Sequence, residues 1–264
     1  MKRVMSVATS DSGAGAGIQA DLKAFLRCGV YGTTAVVATT AQNTVGVTQI
    51  YPFPPEVAVG QIEAIVEDIG ADAVKTGMLF NTPIISAVAE AAQRLRLPNL
   101  VVDPVMVAES GAPLLEPEAV DAYKNELFPL AAVITPNVNE AFALVGEPVD
   151  EGRIEDCAVT LHDLGPGAVL ITGGHATAGA DLLYDGERFE RIEGPVYGSG
   201  NTHGAGCTHS SSLASALALG YGLVEAAGRA RAVASEAVRH GLSGIGAGAG
   251  PVHALGSVLE GVEV

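Results

Sequence analysis

Val4-Met5-Ser6-Val7-Ala8, then Ser10-Asp11-Ser12-Gly13-Ala14-Gly15-Ala16-Gly17, then Ile18 to Arg27 closed by Gly29: this opening decides the fold. The first five residues form a strand-length, mostly apolar run. Glycines and small polar residues then turn the chain, and a helix follows that stops at a glycine. The same phrase returns further on. Tyr31 to Thr40 is β-branched and strand-like. Pro54-Pro55-Glu56 opens a helix whose apolar residues (Val57, Val59, Ile62, Ile65, Val66, Ile69) recur at helical spacing. Ala73–Thr76, Leu100–Asp103, Ala132–Thr135 and Ala168–Thr172 read as strands, the last two stopped by Pro136 and by Gly173-Gly174. Pro83–Leu95, Glu155–Leu164, Cys207–Leu219 and Val224–Leu242 read as helices, and Asp181–Ile192 as a hairpin turning on Asp185-Gly186. Strands alternating with helices predict an α/β fold, a mostly parallel central sheet with helices on both faces. No linker or repeat interrupts the pattern, so one domain is expected over residues 1–264.

Charge and cysteines bound the partners. Fourteen Lys and Arg against 30 Asp and Glu give a net charge of −16. That excludes a nucleic-acid partner, which needs basic patches, but not a nucleotide held by backbone N–H groups and metal ions. Cys28, Cys157 and Cys207 are odd in number and widely spaced, unlike a disulfide framework or a zinc site. The N-terminus lacks the apolar core of a signal peptide, and no run reaches the ~18 apolar residues of a membrane span. A reduced, cytoplasmic protein with no membrane partner is expected.

Ligands of open parallel sheets sit beyond the carboxyl ends of the strands. The polar residues there are Asp11, Gln42-Asn43, Asp103, Asn137 with Glu140, and His175. The strongest local signal is Asn201-Thr202-His203-Gly204-Ala205-Gly206-Cys207-Thr208. Its small residues run into a helix whose N-terminus favours an anion. The same field is expected to lower the Cys207 pKa and favour its thiolate. The competing reading is a tight turn with a small buried cysteine. A Cys207 nucleophile paired with His203 or His209 is disfavoured, because His209 lies two residues on and points away. Gly13 to Gly17 fails the dinucleotide spacing, since Ile18 stands where a third glycine belongs. Asn137 and Glu140 suit either Mg²⁺ beside phosphates or a helix capping box. Asp103 is a second metal candidate. The Gln42 and Asn43 amides suit a nitrogen heterocycle with an amino group, or plain loop polarity.

Taken together, these residues resemble the hydroxymethylpyrimidine/phosphomethylpyrimidine kinases of the ribokinase-like superfamily. The likeness runs in order from Thr9–Lys23 through Gly29-Val30-Tyr31-Gly32, Thr40-Ala41-Gln42-Asn43-Thr44, Lys75-Thr76-Gly77-Met78-Leu79 and Asp103-Pro104-Val105-Met106-Val107. It continues through Thr135-Pro136-Asn137 with Glu140, Gly173-Gly174-His175, Asn201–Thr208 and Gly250-Pro251-Val252-His253.

The resemblance implies a three-layer ribokinase-like fold and ATP- and Mg²⁺-dependent phosphorylation of 4-amino-5-hydroxymethyl-2-methylpyrimidine and its monophosphate. It implies that Gly204, Ala205 and Gly206 form the anion hole, with Cys207 taking or orienting the substrate proton. Gln42, Asp21, Met78 and the backbone at Ser10 are expected around the pyrimidine. Asn137, Glu140, Thr172, Gly173, Thr202 and Gly250 are expected near the nucleotide, with Glu140 and Asp103 as metal ligands. A homodimer is the family's common state. Three positions depart from the family: Ala205 replaces a threonine, while Thr172 and Glu109 replace lysines. The lysine losses imply a weaker hold on ATP or on the already charged monophosphate. A pyridoxal or pyridoxine kinase on the same scaffold is the alternative, against which Gln42 and Met78 argue. A non-catalytic pyrimidine-binding protein is the third reading.

Overall fold

In the computed structural model, which describes residues 1–109, 111–173, 179–198 and 200–256, the opening unit forms as read and runs further. β1 spans Arg3–Asp11 and α1 spans Gly17–Arg27, so Ser10 and Asp11 belong to the strand rather than the turn. β2 (Tyr31–Asn43) likewise extends past Thr40 and carries Gln42 on its last turn-ward residues. It folds back into β3 (Gly46–Pro52), an antiparallel edge strand that the sequence reading left out. The turn between them is braced by Asn43 Oδ1, which accepts from the Val45 and Gly46 N–H groups.

α2 (Pro55–Asp68), β4 (Ala73–Thr76), α3 (Thr82–Leu95) and β5 (Leu100–Val102) follow the predicted pattern. An irregular helical stretch over 117–130 comes next, with α4 (Val120–Ala122) as one turn of it. β6 (Val133–Ile134) leads into α5 (Val138–Val145), which the sequence showed only as a possible capping box. α6 (Ile154–His162), β7 (Val169–Ile171), the β8 (Asp181–Tyr184) and β9 (Phe189–Ile192) hairpin, α7 (Ala205–Ala218) and α8 (Leu223–Arg239) complete the fold. None of the described helices is long and apolar enough to cross a membrane.

The strands form one sheet in the order β3-β2-β1-β4-β5-β6-β7-β8-β9. The neighbours from β2 to β7 are parallel, and antiparallel pairs close both edges. Side chains of period two split between two cores. Met5 and Val7 face one, with Ile62, Ile85, Phe142 and Leu161. Val4 faces the other, with Phe25, Leu213 and Ala227. Each fully buried side chain of this size contributes about 1.5–3 kcal/mol. This is the expected three-layer arrangement. α7 is buried over most of its length, and its Ala and Ser residues let α1 and α8 approach it closely. From β1 the chain goes to β2 on one side and later to β4 on the other, so a switch point opens beyond the end of β1.

Candidate active site

Two glycine loops interlock at that switch point. Gly204 caps α7 with φ +87°, and a Cβ there would overlap the Gly15 carbonyl oxygen. A Cβ at Gly15 would in turn overlap the His203 ring. The backbone can close this tightly only because both side chains are absent. α7 starts at Ala205, two residues before the predicted start. The Ala205 N–H is turned back onto the Thr202 carbonyl (3.0 Å). The donors left free in the first helical turn are therefore the Gly206 and Cys207 N–H groups, with the helix dipole behind them.

The Cys207 thiol departs from expectation. Burial is the largest influence on it, Asp21 and Asp103 oppose its ionisation, and it is pushed up to about 12 despite Lys75 and the Gly17 N–H. The helix N-terminus does not make it a thiolate, because burial first, and then the Asp21 and Asp103 carboxylates, disfavour the charged form. It is a protonated thiol at neutral pH, open to the cavity on one side.

Asp21 is likewise not where the resemblance implied. It is fully buried beneath the cavity floor and does not line it. Its carboxylate binds the Lys75 ammonium at 2.9 and 3.1 Å and accepts from the Ser6 and Ser211 hydroxyls at 2.5 and 2.7 Å. Four contacts from three donor atoms thus satisfy one buried charge. Lys75 does reach the cavity wall. Burial works against its charge, yet the Asp21 carboxylate above all, with Asp103 behind it, holds the ammonium above its ordinary value.

Asp11 ties the first glycine loop. Its carboxylate accepts from the N–H groups of Gly13 (2.8 Å), Gly15 (3.0 Å) and Ala16 (2.9 Å). His203 Nε2 lies 3.3 Å from the same carboxylate and 3.5 Å from Gln42 Nε2. Burial raises the Asp11 pKa, but the hydrogen bonds from His203, Ala16 and Gly13 win and hold it below the usual carboxylate value. Gln42 Oε1 accepts from Thr40 Oγ1 at 3.0 Å.

Across the cavity, Asp103 and Glu140 form a pair of the opposite kind. Burial first and the Asp103 charge second push Glu140 up to about 8, against the Asn137 and Met106 N–H groups. Asp103 is raised too, by burial, although Lys75 and the Ser210 hydroxyl (2.8 Å) pull it down. Both readings of Asn137 and Glu140 hold at once. They make a full capping box at the start of α5, and both line the cavity. Among the described residues no three His, Cys, Asp or Glu groups cluster tightly enough to hold a metal alone. Two close, charge-starved carboxylates do fit a cation that takes further ligands from phosphates.

The cavity measures ≈ 170 Å³. Thr9 and Asp11, rather than Ser10, face it from β1. The Ser10 hydroxyl instead accepts from the Gln19 amide at 2.7 Å. Gln42, Met78, Ala205, Gly206 and Cys207 line it together with Thr172. A hairpin-like wall made by residues 105–109 and 111–114 covers one side and is pinned by the Val107–Pro113 bridge. Sequence reasoning gave that wall no role; its signal was the apolar run after Asp103. Thr202 stands outside the cavity and donates to Glu109 at 2.7 Å, so Glu109 fastens the wall to the anion-hole loop. Gly250 supports the loop from behind, its carbonyl accepting from the His203 N–H at 3.3 Å. Gly173 is bound to Asp181 and Arg231 at 3.0 Å each. Arg231 is thus a cation close to the missing lysine position of Thr172, but Asp181 neutralises it. His209 points away from the thiol and binds Asp181 at 2.9 Å. His175 lies outside the described residues.

Residues 11–253 match the family model described as phosphomethylpyrimidine kinase. The "Thiamine biosynthesis bifunctional protein ThiED" of Geobacter sulfurreducens is 47% identical over 95% of this chain, which spans only 51% of that longer protein. The hydroxymethylpyrimidine/phosphomethylpyrimidine kinase of Mycobacterium leprae is 44% identical over 96% of this chain and 94% of its own length. Among solved structures, the ADP complex of Bacillus subtilis pyridoxal kinase superposes with a TM-score of 0.89 at 36% identity, covering 98% of this chain and 99% of that one. The Clostridium difficile phosphomethylpyrimidine kinase gives 0.77 at 39% identity, covering 88% and 96%.

Proposed function

Because the chain belongs to the phosphomethylpyrimidine kinase family, we infer that it transfers the terminal phosphoryl group of ATP to 4-amino-5-hydroxymethyl-2-methylpyrimidine and then to the monophosphate. The product is the pyrimidine diphosphate used in thiamine synthesis. The observation that carries this reading is the convergence on one cavity of Gln42, the Cys207 thiol, free N–H donors at a helix N-terminus and an acidic pair with its charge suppressed.

Each group has a role it can perform. If the His203 Nε2 proton goes to Asp11, the Gln42 amide NH₂ has no acceptor there and is free to donate to a ring nitrogen. Met78 offers an apolar face to the flat ring. The Gly206 and Cys207 N–H groups stabilise charge on the phosphoryl oxygens as it passes. Cys207 is a thiol, so it orients the hydroxymethyl oxygen rather than ionising it beforehand. In a loose phosphoryl-transfer transition state the attacking hydroxyl keeps its proton until late. The new oxygen–phosphorus bond then forms as the bond to ADP breaks, and as the hydroxyl proton becomes acidic it passes to the sulfur beside Lys75 while the thiol hands its own proton to an oxygen of the transferred phosphoryl group.

Asp103 and Glu140 would hold Mg²⁺. That ion would neutralise charge on the ATP phosphates. Thr172 and Gly173, next to the acidic pair, suit the nucleotide side, and Thr202 and Gly250 act on it by holding the anion-hole loop. We read residues 1–264 as one catalytic domain acting in the cytoplasm. A homodimer is supported by the edge strand β3, where Tyr51, and Val45 in the turn before it, lie exposed.

A second reading, pyridoxal phosphorylation, is favoured by the pyridoxal kinases among the structural neighbours, one solved with pyridoxal bound. Offering both substrates together at limiting enzyme, and resolving the products by chromatography, separates them. Pyrimidine phosphates are expected to dominate; a dominant pyridoxal phosphate would reverse the assignment.

A further inference from the structure

A second cavity lies towards the other ends of α1 and α7. The two helices begin together, with the Gly17 N–H against the Cys207 sulfur. The second cavity is lined instead by Arg27 and Cys28, where α1 ends, and by Ser212, Ala216 and Leu219 along α7. Tyr221 and Arg229 close it from α8 and the turn before it. It measures ≈ 240 Å³. Pockets for drug-sized ligands begin near 300 Å³, so a cavity of this size suits a small ligand.

Its chemistry is cationic in a chain of net charge −16. Arg229 lies 3.8 Å from the Tyr221 ring centroid, an attraction that holds it at the rim, and Glu225 binds it at 3.0 Å. Arg27 has no carboxylate partner among the described residues. The Ser212 hydroxyl is buried, 2% exposed, and makes no hydrogen bond of ordinary geometry. What it faces is the Cys28 thiol, a weak partner. An unmet buried hydroxyl is unfavourable, and a ligand oxygen would satisfy it. Ala216, Leu219 and Val233 supply an apolar surface beside these groups.

We propose that this cavity is a second ligand site that takes a small organic phosphate. Arg27 pairs with the phosphoryl group, Ser212 donates to one of its oxygens, and the apolar surface takes a single ring. The site is separate from the phosphoryl-transfer cavity and does not rest on the function assigned to it.

The three cysteines report on it. Cys28 lines this cavity, Cys207 lines the active site and Cys157 is buried elsewhere. The purified full-length protein is labelled with N-ethylmaleimide, and each cysteine is followed by peptide mass spectrometry with and without phenyl phosphate. With the probe at about ten times its dissociation constant, Cys28 labelling is expected to slow about tenfold. Arg27→Gln removes that protection and leaves any protection of Cys207 in place. Ser212→Ala weakens it several-fold. Equilibrium dialysis with phenyl phosphate gives one bound equivalent fewer for Arg27→Gln than for the native protein. Unchanged Cys28 labelling with equal dialysis stoichiometry overturns the site. Protection that survives Arg27→Gln overturns the role of that residue. Protection by inorganic phosphate equal to that by phenyl phosphate overturns the organic class of the ligand.

Discussion

Asp11 and Glu140 face one cavity from opposite walls, and each accepts hydrogen bonds from backbone N–H groups. They end in opposite states. Asp11 is held below the usual carboxylate value, while Glu140 is pushed up to about 8. Asp11 has three N–H donors of one turn and a histidine on it. Among the described residues Glu140 has only the Asn137 and Met106 N–H groups on it, and Asp103 as its neighbour. The first carboxylate is already satisfied by the protein and acts as a brace. The second has another acid, Asp103, for a neighbour where a counter-charge would ease its ionisation.

The largest effect is expected from removing the brace. Asp11→Ala strands three loop N–H groups, and unmade hydrogen bonds of this kind cost about 1–3 kcal/mol each before relaxation. A loss of about 3 kcal/mol in denaturant unfolding is expected. A stability unchanged from the native protein would erase the distinction between the two carboxylates.

Cys207→Ala comes next. Turnover is expected to fall about 10²-fold with pyrimidine binding retained, in the range of general acid–base effects. Near-native turnover would remove the thiol from proton handling.

Glu140→Gln sharpens the contrast from the other wall. The Mg²⁺ concentration for half-maximal activity is expected to rise about 10- to 100-fold, an effect of the size seen when a metal site's supporting groups are lost. The pH dependence has a definite sign. Glu140 binds its proton more tightly folded than unfolded, so its own contribution to the stability of the cation-free protein is full below about pH 4.5 and is lost as pH rises through about 8. Mg²⁺ displaces that proton, so its apparent affinity rises with pH below 8, by at most about tenfold per unit for one proton exchanged. In Glu140→Gln both trends flatten. Thermal unfolding and Mg²⁺ titration at pH 6, 7 and 8 read the two together.

The smallest effect is expected at Thr172→Lys. A partly exposed cation near the nucleotide side is worth about 0.2–1 kcal/mol, so the KM for ATP should fall a few-fold. An unchanged KM would mean that Arg231, though paired with Asp181, already serves that charge.

The same contrast explains what the sequence made legible. The parallel sheet could be read because each buried strand is an apolar run ended by a proline, glycine or acid. β3 was missed although Val47, Gln49, Ile50 and Tyr51 come close to strand alternation, because it is a short, half-exposed edge. The stretch 117–130 was missed because it never settles into one helical period. In the site, Gln42, Asn137, Glu140, Gly206 and Cys207 could be placed from strand ends and a helix start, which are local features. Asp21 could not. Its partner Lys75 is 54 residues away, and only the sheet brings them together under the floor. The Cys207 thiol was misread for the same reason: the helix dipole is local, whereas the packing that buries the sulfur, and the Asp21 and Asp103 carboxylates beside it, come from distant elements.

The most direct test of the account is a product assay. Purified protein is incubated with Mg²⁺-ATP and 4-amino-5-hydroxymethyl-2-methylpyrimidine over a range of salt, and the products are resolved by chromatography. The account expects the monophosphate first and the diphosphate after it, both dependent on Mg²⁺. Absence of both phosphate esters at every salt concentration would contradict it.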